Sequence, residues 1–285
     1  MNYVHAIVLG LIQGIAELFP ISSAAHTLLI SALLGWQPPS LPFVVMLHLG
    51  TFLAVLIYFA RDYWALVVGF FTGMSERFSQ PTQRLALFVV LGSIPLAIVG
   101  KIFERAFDRL FALPLFAAGF LLITGLILFL VEWLRAGHGE AESLSWWEAT
   151  LIGLSQAGGL MPGGSRSGFS IAAGMLAGLT REQAARFSFL LAGPAILGAS
   201  LFELRRIVHP KPEQAALPPG FANLSTAPEP TLMIAVGFLV AFVSGLFAIR
   251  FFMRYVDRHK LTPFAIYCWL FGLSMIAVLL LRAHA

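Results

Sequence analysis

Twice in this chain an apolar run that begins like a membrane helix is stopped by a proline set among polar residues. The first run starts at Val4 and meets ELFPISSAAH, Glu17 to His26, before a second apolar piece continues from Ala24 to Leu34. At 1.5 Å per residue that second piece covers only about 16 Å, half of the roughly 30 Å hydrocarbon core. The other region has the same plan: Trp147 to Met161, then Pro162, then Ser165 to Leu179. Broken backbone at membrane depth is tolerated only where protein or a wet cavity surrounds it. Each pair of half-length helices therefore predicts a re-entrant hairpin and not a span.

Six other segments are long and apolar enough to cross: about 43–59, 85–102, 113–134, 184–204, 231–253 and 263–281. Hydrophobic residues make up 59% of the chain and charged ones 11%, against roughly a quarter charged in soluble proteins. The fold class is therefore an all-α polytopic membrane protein with six transmembrane helices and two hairpins, in a single domain over 1–285. The net charge of +4 comes from lysines and arginines scattered between apolar segments, so no nucleic-acid partner is expected. The lone cysteine, Cys268, excludes a disulfide framework and a CxxC metal site. Met1 to Gly10 lacks a basic n-region, and Glu17 falls where an apolar h-region should run, so no signal peptide is expected.

The two broken regions are also alike in sequence. GLIQGIAELFPISS, Gly10 to Ser23, and GLSQAGGLMPGGSRS, Gly153 to Ser167, share Gly-Leu-x-Gln, a proline six or seven residues after the glutamine, and serines just beyond. Each is followed by three spans. The halves are then 1–134, with a hairpin at about 3–34, and 146–285, with a hairpin at about 147–179. Three is odd, so the second half enters from the opposite side, an inverted-topology repeat that places a site near the midplane. The positive-inside rule puts Arg61, Arg77, Arg84, Arg135, Arg181, Arg186, Arg254, Arg258 and Lys260 on the cytoplasmic side. Both termini and the proline-rich loop 205–230 are then external.

The breaks carry chemistry. Gln13 and Glu17, four apart, share one helix face, and a carboxylate in hydrocarbon must be paired, hydrated or bound to a cation. Ser22 or Ser23 is suited to N-cap the next helix; with Ser23 as cap, His26 lies at N3, facing it. In the second break Gly163 and Gly164 admit close backbone approach, and the following half-helix directs its positive end at an anion. Arg166 adds a permanently charged fork matched to phosphoryl oxygens. His48, in MLHLGT, is the one other histidine worth following, and a helix-packing role is expected for it.

These residues resemble the undecaprenyl pyrophosphate phosphatase family, bacterial membrane enzymes linked to bacitracin resistance. The first break is similar to the family's glutamate-rich motif leading into Pro-x-Ser-Ser and a histidine; PGGSRSGFS, Pro162 to Ser170, is similar to its Pro-Gly-x-Ser-Arg-Ser motif. FSFLLAGP, Phe187 to Pro194, and PFAIY, Pro263 to Tyr267, extend the likeness nearly end to end. Gln13 stands where the family often has a first glutamate, Ala24 and Ala25 stand where it has Thr-Gly, and Ser170 replaces a threonine. The resemblance implies removal of one phosphate from undecaprenyl pyrophosphate, recycling the lipid carrier for wall synthesis and conferring bacitracin resistance. It also implies a divalent cation, Mg²⁺ or Ca²⁺, and a site in the bacterial inner membrane that opens to the periplasmic side.

On that basis Glu17, Ser23, His26 and Arg166 are the expected catalytic residues. Ser23 is the candidate nucleophile helped by His26, with direct attack by water left open. Ser22, Gly163, Gly164, Ser165, Arg166, Ser167 and Ser170 are expected to bind the diphosphate, and Gln13 and Glu17 to direct the cation. The expected partners are a polyprenyl pyrophosphate and membrane lipids, with a homodimer left open. The alternative is a transporter that flips a polyprenyl phosphate, since broken-helix repeats also build carriers. A type 2 phosphatidic acid phosphatase would need a Lys-x6-Arg-Pro signature, which is absent.

Overall fold

The structure, a computed structural model, describes residues 1–37, 39–111, 113–134, 139–209 and 230–283. The loop expected to be external lies mostly outside them, as do Arg135 and His138. The first half contains α1 (Tyr3–Ala16), α2 (Ser23–Leu34), α3 (Leu41–Tyr58), α4 (Ala60–Glu76), α5 (Pro81–Phe111) and α6 (Pro114–Leu134). In the second half come α7 (Trp146–Ser155), α8 (Arg166–Leu176), α9 (Arg181–Val208), α10 (Thr231–Arg258) and α11 (Thr262–Ala283). Side-chain caps start many of them, as expected where first-turn N–H groups lack water. Asn2, Ser22, Ser40, Ser165 and Thr180 each accept from a first-turn N–H, and Ser145 with Glu148 closes a capping box on α7.

All six expected spans are present, as α3, α5, α6, α9, α10 and α11, each long and apolar enough to cross a membrane. Large apolar side chains such as Trp64, Phe71, Trp133, Phe247 and Leu281 face outward, a surface suited to hydrocarbon and not to water. The chain is an all-helical multi-pass membrane protein. One helix departs from expectation: α4 follows α3 after the single residue Phe59 and packs along α5. Its apolar stretch is bounded by Arg61 and Asp62 at one end and Ser75 to Arg77 at the other, so a window of spanning length does not register it.

Helix contact is set by small residues. α1 packs on α10, where a Cβ on Gly10 would stand 2.8 Å from the Gly237 carbonyl. α7 packs on α5, where a Cβ on Gly153 would collide with the backbone of Gly92. Small residues at such crossings let backbones approach, which drives helix association in lipid. The core between the halves is aromatic: Phe59, Phe187, Phe189 and Phe252 are fully or almost fully buried. Phe189 meets Phe59 and Phe252, and Phe252 meets Phe19 from the first break.

Candidate active site

At the first break α1 ends with Glu17 as its C-cap, four residues after the buried Gln13. Ser22, not Ser23, caps α2; its Oγ accepts from the Ala25 N–H at 3.3 Å, and its own backbone is held at φ 68°. Ser23 is thereby the first residue of α2, with its hydroxyl turned back to the end of α1. Ser23 Oγ donates to Glu17 Oε2 at 2.6 Å, and Gln13 Nε2 donates to the same oxygen at 3.3 Å. His48 Nε2, from α3, stands 3.8 Å from it.

The second break runs through a short 3₁₀ turn, Gln156–Leu160, and then Pro162 and Gly163. Gly163 sits at φ +95°, and a Cβ there would collide with the Ala117 carbonyl of α6. Its own carbonyl accepts from Thr124 Oγ1 at 2.8 Å. Ser165 then caps α8 through the Gly168 N–H at 3.1 Å, leaving Arg166 as the first helical residue.

The two breaks touch. Ser167 Oγ donates to the Phe19 carbonyl at 3.1 Å, and Arg166 Nη2 stands 3.5 Å from Glu17 Oε1. Both charged side chains are largely buried, 12% and 10% exposed, which is sustainable for opposite charges held together. Arg166 is nonetheless thinly satisfied. Of its five N–H donors, Nη1 reaches the Ser188 carbonyl only at 3.5 Å, and the buried Nε has no hydrogen-bond partner among the described residues. A fork with donors to spare beside a helix N-terminus suits an anion with several oxygens.

Several expected residues have other occupations. His26 does not pair with Ser23. Its Nδ1 lies 2.8 Å from the Ser22 carbonyl and its Nε2 lies 2.7 Å from the Tyr267 hydroxyl, while its ring stacks on Phe271 at 4.5 Å. A carbonyl can only accept, so Nδ1 carries the proton and neither nitrogen of the neutral ring is left for Ser23. Because Ser22 is the cap, His26 sits one position later in α2 than a Ser23 cap implies, and faces α11. Ser165 Oγ is spent on its cap, Ser167 Oγ on Phe19, and Ser170 Oγ on the Arg166 carbonyl and on Ser188 Oγ at 2.7 Å. These hydroxyls shape the break, and Arg166 is the side chain it presents to Glu17. Residues not expected at the site are His48, Ser188, Thr124 and Tyr267. Ser188 and Tyr267 lie in FSFLLAGP and PFAIY, stretches that carry the family likeness but whose sequence does not show what they touch.

Among the described residues no three of His, Cys, Asp and Glu are gathered to hold a metal. The groups at the junction that could meet an ion are the Glu17 carboxylate, the Gln13 amide, the Ser23 hydroxyl and His48 Nε2, 3.8 Å from Glu17, whose Nδ1 lies 3.0 Å from the Val44 carbonyl. The oxygen groups of that set suit a hard cation that draws its remaining ligands from substrate phosphate and water.

Known proteins resemble this chain over most of its length. The model of the family described as bacitracin resistance protein BacA matches residues 6–274. An undecaprenyl-diphosphatase of Geotalea daltonii is 39% identical over 269 residues, 94% of each chain. One from Methanobrevibacter smithii is 38% identical over 283 residues, 96% of each. One from Geobacter sulfurreducens is 37% identical over 283 residues, covering 99% of this chain and 100% of its own. With likeness that runs nearly end to end and through both breaks, the chain belongs to the bacitracin resistance protein BacA family.

Proposed function

We infer that this chain hydrolyses undecaprenyl diphosphate to undecaprenyl phosphate and inorganic phosphate, returning the lipid carrier to wall synthesis. One observation carries the reading beyond family membership. A carboxylate–hydroxyl pair from one break, Glu17 with Ser23, faces an under-satisfied arginine from the other.

Arg166 holds the diphosphate, its fork donating to phosphoryl oxygens as charge develops on them. Glu17 takes the proton of Ser23 Oγ as that oxygen attacks the terminal phosphorus. The bond from that phosphorus to the bridging oxygen breaks, and undecaprenyl phosphate leaves with the electron pair. Water then cleaves the phosphoserine, giving inorganic phosphate and restoring the hydroxyl. His26, tied to Tyr267, orients the first turn of α2 and with it Ser23. Glu17 and the Gln13 amide oxygen, exposed by turning the amide over, are the residues that would hold Mg²⁺ or Ca²⁺. That ion supplies neutralisation of phosphoryl charge.

The hairpins are re-entrant and the halves form an inverted repeat in this proposal. Support comes from the two glycine crossings: the Gly-Leu-x-Gln start of each half packs on the second span of the other, Gly10 on α10 and Gly153 on α5. The site then opens outward.

The test is phosphate release from a polyprenyl pyrophosphate by the purified chain in detergent. Hydrolysis needs no membrane and lipid flipping does, so absence of release would favour the transporter. Glu17→Gln should abolish release and Gln13→Glu should be tolerated; full activity of Glu17→Gln in excess chelator would sink the cation role. On a Cys268→Ser background, cysteines at Ser79 and at Asn223, the latter outside the described residues, should label from opposite faces. Labelling from one face would overturn the inverted repeat.

A further inference from the structure

Span α9 carries Pro194 in its interior. A proline has no N–H, so the carbonyl four residues earlier, that of Leu190, loses its helical donor. In lipid such a group must find another partner. The Tyr63 hydroxyl, from the first turn of α4, takes this place. It lies 3.1 Å from the Leu190 carbonyl and 2.9 Å from that of Phe189, and accepts from the Gly193 N–H at 3.1 Å. Gly193 leaves the seat open, since a Cβ there would collide with the Tyr63 hydroxyl. The same turn is fastened by Asp62, paired with Arg186 of α9.

What lies next to this seat is the phosphate end of the site. One residue before Phe189 is Ser188, fully buried; its carbonyl faces Arg166 Nη1 at 3.5 Å, and its hydroxyl meets Ser170 Oγ at 2.7 Å. Ser170 in turn donates to the Arg166 carbonyl at 2.8 Å. Arg166 is thus braced at backbone and guanidinium by one residue of α9, and that residue adjoins the section whose broken ladder Tyr63 completes.

We propose that Tyr63 is a positioning residue for the hydrolysis: its hydroxyl, seated against Gly193 at the Pro194 break, sets the register of Ser188 and through it the aim of Arg166. The proposal rests on Arg166 binding the diphosphate. It also gives α4 a task, for this helix delivers the hydroxyl.

The test is Tyr63→Phe, which keeps the ring and removes the hydroxyl, measured by phosphate release in detergent alone and combined with Arg166→Ala. Folding of each variant is followed by gel filtration. Expected is a fall in kcat of roughly tenfold, the size of effect that small misplacement of a catalytic group produces, with KM held within about twofold because uniform lipid binding is untouched. In the Arg166→Ala background Tyr63→Phe should have little further effect, since residues acting through one group are not additive. Wild-type kcat in Tyr63→Phe, or the same factor lost with and without Arg166, overturns the proposal. Should Tyr63→Phe not fold, the comparison moves to Pro194→Ala, where the restored N–H serves Leu190. There Tyr63→Phe should be nearly silent, and a full loss of kcat would overturn the idea. A fully active Arg166→Ala would instead defeat the diphosphate reading itself, a result scored without Tyr63.

Discussion

The two breaks solve one problem, interrupting a helix at a proline inside a membrane protein, by opposite means. In the second, Gly163 turns at φ +95° pressed against α6, and the break is held by backbone packing and by Thr124. Within the first, an L-residue, Ser22, is held at φ 68°, a conformation that L side chains adopt reluctantly. The strained serine stands one residue before the hydroxyl that meets Glu17, and its own carbonyl takes the His26 proton. The first break therefore invests its side chains in the Glu17–Ser23 pair and its orientation. Its counterpart invests backbone geometry in presenting one arginine. Strain in the break that carries the proposed reacting groups, and close packing in the one that carries Arg166, fits a strained turn that persists because its surroundings over-determine it.

In the second break the largest effect is expected at Arg166. Arg166→Ala should lose about 100-fold or more in rate, by analogy with removal of an oxyanion-hole donor. Arg166→Lys should stay badly impaired, since a point charge cannot make two parallel bonds. A freely active lysine variant would mean that Arg166 only anchors the second break. Next comes Gly163→Ala, which forces an L-residue to positive φ and into the Ala117 carbonyl. A stability loss of about 2–4 kcal/mol is expected, read as a lower midpoint of thermal unfolding in detergent together with reduced turnover. Tyr267→Phe should be milder. It removes the partner of His26 Nε2, worth about 1 kcal/mol, and slows release less than about tenfold, whereas Ser23→Ala should all but stop it. If Tyr267→Phe proved as damaging as Ser23→Ala, His26 would be closer to the chemistry than the geometry places it. The smallest effect belongs to Ser22→Gly. Glycine accepts the positive φ and replaces a serine cap at a cost of a few tenths of a kcal/mol, so stability should stay within about 0.5 kcal/mol and turnover near normal. A glycine is thus welcome at Ser22 where an alanine is not at Gly163; equal damage at both would erase the comparison.

Much of this is legible in the sequence. Apolar length marks each of the six spans, and proline with polar neighbours marks both breaks, because hydropathy and helix breaking are properties of short stretches. Glu17 and Arg166 stand out for the same reason: an ionised side chain inside an apolar run needs a partner. Other residues give no such local sign. His26 and Ser23 are three apart and look like a pair, yet the cap fell on Ser22 and the ring found Tyr267, 241 positions away. Tyr63 looks like an ordinary aromatic residue in a helix start, and Ser188 like a small residue in a span.

What the sequence by itself determined is the membrane class, the count of spans, the two interruptions and the residues too costly to leave unpaired in hydrocarbon. All follow from solvation, which each segment meets alone. Only the tertiary structure decided which hydroxyl the carboxylate takes, that His26 turns to α11, that α4 exists as a helix and that its tyrosine completes α9. These depend on which helix faces lie against one another, and that is settled by close approach at Gly10, Gly153, Gly163 and Gly193 between segments far apart in the chain.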